Sequence, residues 1–72
     1  MKETSVNYIV DDKYLYNKIE EEKHNIRKNI IANGWNELKF TKVDISDYDN
    51  KLKKVVIEYE YSYNKNKRML LD

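Results

Sequence analysis

The sequence predicts an α+β fold: one amphipathic helix packed on a small, mainly antiparallel sheet of three to four strands, in the order β-α-β-β with an optional last strand. Three observations carry this reading. Val6, Tyr8 and Val10 recur at period two; Leu15, Ile19, Ile26 and Ile30 recur at about 100° per residue; and Lys51 to Tyr63 is a long run rich in β-branched and aromatic residues. With 72 residues the chain is read as one domain, 1–72, in which only about 60% of the unfolded surface becomes buried.

The first strand is Ser5 to Val10. Asp11 and Asp12 follow it, and two carboxylates before a periodic stretch make a good helix start because they accept from the free N–H groups of the first turn. The helix is expected from about Asp12 to Asn33, with Glu22 at the edge of its apolar stripe and Asn17, Glu21, His24 and Lys28 on the opposite face. Gly34, the only glycine, stands where a left-handed residue closes a helix, and Trp35 is then placed to pack back on Ile30.

A second strand is expected over residues 36–45. Leu38 and Phe40 share one parity and Val43 and Ile45 the other, and a bulge or bend near Thr41-Lys42 would reconcile them. The polar run Ser46 to Asn50 predicts a five-residue hairpin connection, followed by the long strand Lys51 to Tyr63. Asn64 to Lys67 predicts a turn, after which Arg68 to Asp72 forms either a short fourth strand or a docked tail.

Composition narrows the function classes. Fourteen basic and thirteen acidic side chains leave a net charge of +1, which produces no long-range field and disfavours both an acidic nucleic-acid mimic and a strongly basic coat protein. There is no cysteine and one histidine, so neither a disulfide framework nor a structural zinc site is expected. Apolar runs reach only triplets such as Val55-Val56-Ile57, so no signal peptide or membrane span is expected and the chain is read as cytoplasmic. The abundance of Lys, Asn, Ile and Tyr over Arg fits an AT-rich genome, which points to a low-GC bacterium or one of its phages.

No catalytic constellation emerges. Counting a calcium loop from Asp47 places Asp49 third and Glu58 twelfth, but Lys51 stands at a ligand position and Leu52 where the loop needs glycine. His24 sits among Lys23, Arg27 and Lys28 in no recognisable general-base motif, and Ser5, Ser46 and Ser62 lie in no nucleophile motif. No catalytic residue, cofactor or metal is assigned, and a non-enzymatic role is expected.

Tyrosine is the distinctive residue, with seven against one phenylalanine. It offers broad apolar contact and tolerates water at its hydroxyl. Tyr59, Tyr61 and Tyr63 alternate with Glu58, Glu60 and Ser62, so one strand face carries all three rings. Because a helix covers a strip only about 10 Å wide, Tyr61 and Tyr63 are expected to reach solvent while Tyr59 lies under the helix. Tyr59, Tyr61, Tyr63, Lys65, Lys67 and Arg68 form the expected partner-binding set.

The resulting expectation is a small protein-binding module acting by direct contact, an inhibitor of a host protein encoded by a phage or mobile element, anti-defence in the manner of anti-CRISPR proteins. The alternative is a nucleic-acid accessory protein in which bases stack on Tyr61 and Tyr63 while Lys51, Lys53, Lys65, Lys67 and Arg68 meet phosphates. Homodimerisation through the tyrosine face is a third possibility, since small cores often need a supplement.

Overall fold

A computed structural model describes residues 1–68. The chain runs β1 (Lys2–Val10), α1 (Leu15–Ala32), β2 (Glu37–Asp49) and β3 (Leu52–Ser62). This is the expected β-α-β-β order, with three strands among the described residues; of the optional fourth strand only Arg68 is described, and it belongs to no strand. The sheet order is β1-β3-β2, and β3 pairs antiparallel with both neighbours. β1 and β2 are therefore parallel to each other, joined by the helical crossover, with β3 inserted between them.

The helix is defined at both ends by local chemistry. The Asp12 carboxylate accepts the Tyr14 N–H at 2.9 Å and the Asp12 carbonyl accepts the Leu15 N–H at 3.1 Å, so the acid forms the turn that launches the helix. At the other end Gly34 adopts φ +88°, its N–H donates to the Ile31 carbonyl, and the Trp35 N–H donates to the Ile30 carbonyl at 3.2 Å. These are the two bonds of a Schellman closure, which turns Trp35 back against the core that contains Ile30.

Because α1 starts just after Val10, opposite Leu52, and ends just before Glu37, opposite Ser62, it runs along β3. Leu15, Ile19, Ile26 and Ile30 on the helix meet Val55, Ile57, Tyr59 and Tyr61 on β3, and Ile9, Trp35, Leu38 and Phe40 close the margins. Val55 and Ile57 are fully buried.

The predicted bulge is present: Phe40 faces Tyr59 and Lys42 faces Glu58, leaving Thr41 unpaired, with its hydroxyl donating to the Glu58 carbonyl at 3.1 Å. That extra residue brings Val43 and Ile45 onto the same face as Leu38 and Phe40. The five-residue connection expected over Ser46 to Asn50 is corrected. β2 continues to Asp49 because Ser46 and Asp47 pair with Lys54 and Lys53, and the turn is only Asn50-Lys51, with Lys51 at φ +65°. Polar composition marks a solvent-facing strand as readily as a loop.

Gly34→Ala is expected to lower stability by about 1 kcal/mol, a drop of roughly 4–8 °C in Tm for a domain of this size. Open space surrounds the position a Cβ takes there, so the loss comes from the positive φ alone. Calorimetry of Gly34→Asn should show a smaller loss, since asparagine tolerates that backbone region.

Candidate protein-binding face

The expected partner-binding set divides into two parts. Tyr59 and Tyr61 are 9% and 7% exposed, inside the core. The Tyr61 ring packs edge-on against Trp35 at 4.9 Å, and both hydroxyls donate to Glu3, Tyr59 at 2.8 Å and Tyr61 at 2.7 Å. The expectation that Tyr61 reaches solvent is corrected. The three tyrosines follow each other along the helix axis, so the length of α1 and not its width decides how many rings it covers; an 18-residue helix extends about 27 Å against about 20 Å for Val55 to Tyr61.

Tyr63 lies past the end of β3 and is 60% exposed, and Lys65, Lys67 and Arg68 are exposed beside it. Asn36 holds this segment in place. It is 2% exposed, its amide donates to the carbonyls of Asn64 (2.7 Å) and Lys67 (3.1 Å), and its side-chain oxygen accepts the Asn64 N–H at 2.7 Å. Lys67 also pairs with Glu37 at 3.2 Å.

The arrangement separates the parts of the nucleic-acid alternative. Tyr61 offers no stacking surface, Lys53 is turned to the helix side and paired with Asp47 and Asp11, and Lys51 stands at the opposite end of β3 from Lys65. Glu58 and Glu60 line the face that the helix leaves open.

That open face holds what the tyrosine argument missed. Since β3 turns its odd residues to the helix, the register places Thr4, Val6, Tyr8 and Val10 of β1 on the opposite side, with Leu52, Lys54 and Val56 of β3. Val6, Tyr8, Val10 and Tyr48 are 43–58% exposed. The Tyr8 and Tyr48 rings, from the two outer strands, meet across β3 with centroids 4.4 Å apart. One half of the face thus gathers Val6, Tyr8, Val10, Tyr48, Leu52 and Val56 around Lys54, with Asp44 and Ser46 along β2; in the other half Lys2, Glu60 and Lys39 stand in one row and Thr4, Glu58 and Lys42 in the next.

The alternation of β1 is inverted relative to the usual rule that an antiparallel sheet turns apolar residues to its covered side. On the helix side it presents Glu3, which is exposed, and the half-buried Ser5 and Asn7, and only Ile9 there is apolar. The period-two signal of Val6, Tyr8 and Val10 was visible in sequence, but which face it occupied depended on pairing with β3.

Among the described residues no group of three or more His, Asp or Glu side chains is gathered as a metal ion requires, and no helix is long and apolar enough to cross a membrane. Comparison with protein-family models, with curated proteins and with solved structures returned no match.

Two measurements check this geometry. Hydrogen bonds from Tyr61 and Tyr59 hold the Glu3 carboxyl below the usual range, while burial, reinforced by the bond to Glu3, pushes Tyr59 up to about 12. Glu3 therefore contributes stability above the ordinary carboxylate range that is lost as pH falls through its depressed value, and Tyr59 contributes stability below pH 10 that is lost between about 10 and 12. Chemical denaturation against pH should show both slopes, and Glu3→Gln should flatten the acidic one. Separately, Tyr8→Ala and Tyr48→Ala should each cost under about 1 kcal/mol, whereas Tyr61→Ala should lower Tm far more, because only the last opens a core cavity.

Proposed function

We propose that this protein is a non-enzymatic protein-binding module whose contact surface is the open face of its sheet, centred on Tyr8 and Tyr48. The observation that carries the reading is the inverted alternation of β1: a strand that stabilised only its own monomer would place Val6, Tyr8 and Val10 under the helix, and here they are held against solvent. Paired tyrosines bordered by balanced charge suit recognition of another protein, since aromatic rings carry much of the contact energy and the rim charges select the partner. The partner fitting this face presents an apolar patch with polar and charged groups of both signs at its border.

Within that class we keep the narrower reading from composition, a cytoplasmic inhibitor of a host protein encoded by a phage or other mobile element. Its support is the size of the domain, its near-neutral charge and its AT-rich residue usage.

The test is affinity capture from a low-GC bacterial lysate with wild type and the Tyr8→Ser/Tyr48→Ser variant, with and without nuclease, after circular dichroism has confirmed that both are folded. A nuclease-resistant protein held by wild type and lost by the variant is expected. Equal retention by both proteins, or a capture abolished by nuclease, overturns the reading.

A further inference from the structure

We propose that two copies of this chain join along the free edges of β2, antiparallel about a twofold axis through Val43, to make one continuous six-stranded sheet. This interface is the outer edge of β2 and not the Tyr8/Tyr48 half of the open face, although its Lys42 and Asp44 lie on the open side, and it does not rest on the reading given above.

Among the described residues β2 has β3 on one side only, and residues 41–49 are exposed without exception. Such an edge offers unpaired backbone donors and acceptors to another strand. One pair of its charges is placed symmetrically in a way that chooses the strand. Counting outward from Val43, Lys42 is matched by Asp44. An antiparallel pairing centred on Val43 sets Lys42 of each copy opposite Asp44 of the other, whereas a parallel one sets lysine on lysine.

The faces agree with this register. Lys42 and Asp44 both lie on the open side of the sheet, and Val43 on the helix side. Thr41 is the bulged residue, so beyond Lys42 the pairing steps by one and brings Phe40 opposite Ile45 of the second copy, both on the helix side. Val43 and Ile45, now 37% and 38% exposed, become covered on both copies. Lys42 already pairs with Asp44 of its own chain at 3.2 Å, so the two residues exchange partners and no charge is stranded.

Lysines and bulges on an edge normally discourage pairing. Here the lysine is answered by an aspartate at the symmetric position, so repulsion acts against other strands and not against this one. The helices leave room: the two β3 strands stand about 14 Å apart in such a sheet, and each helix is about 10 Å wide.

Sedimentation velocity of the wild type from micromolar to millimolar concentration should show a monomer–dimer equilibrium. Lys42→Asp and Asp44→Lys should each weaken dimerisation by at least about tenfold, and the double swap, which restores the opposed charges, should return it to within about threefold of wild type. Since the chain lacks cysteine, Val43→Cys should oxidise to a disulfide-linked dimer far more readily than Ile45→Cys, whose symmetric counterpart is distant. A wild type that stays monomeric throughout, a dimer indifferent to Lys42→Asp, or equal cross-linking of the two cysteine variants overturns the proposal. Dissociation by Tyr8→Ser/Tyr48→Ser in place of Lys42→Asp also overturns it, and assigns the self-contact to the open face.

Discussion

Everything in this molecule depends on one packing arrangement: a single helix laid along the central strand β3, sealing Val55, Ile57, Tyr59 and Tyr61 beneath Leu15, Ile19, Ile26 and Ile30. Because β3 is paired on both sides, its parity is imposed on both neighbours. Once its odd side chains point to the helix, Glu3, Ser5, Asn7 and Ile9 must share that side, and Val6, Tyr8 and Val10 must face away. A strand that slipped by one residue would bury the second set and expose the first.

The Glu3 carboxylate shows how the polar half of β1 is accommodated under the helix. It stands directly opposite Tyr59 and takes both phenolic hydroxyls, so the rings contribute apolar area while their oxygen atoms are satisfied at the margin of the core. Among the described residues no buried side-chain nitrogen or oxygen lacks a partner. Asn36 does the same at the end of the sheet, where its three hydrogen bonds tether residues 64–67. Polar atoms near the core thus act as anchors for the first strand and for the segment after the last one.

The open face and the free edge of β2 are both consequences of the same layer being narrow. Among the described residues one helix covers one face of three strands, and the other face and the outer edge of β2 are left to solvent or to another chain. A chain of 72 residues has little core to spare, and association along an edge or across a face adds buried area that the monomer lacks.

Local and periodic features were legible in the residues themselves. The helix stripe and the closure at Gly34 follow from contacts within a few positions, and the irregularity near Thr41 from a parity conflict, which the fold resolves with one extra residue. The strand through Ser46 to Asp49 was not legible, because its polar side chains suit a loop as well as a solvent-facing edge. Nor was the burial of Tyr61, which depends on the helix running along β3, or the exposure of Tyr8, which depends on register with a strand some 46 positions later. Sequence by itself determined which elements form, since propensity and periodicity are carried by neighbours in the chain. Tertiary structure alone decided which face of each strand meets the helix, because that choice belongs to the pairing of distant segments and has no signal within any one of them.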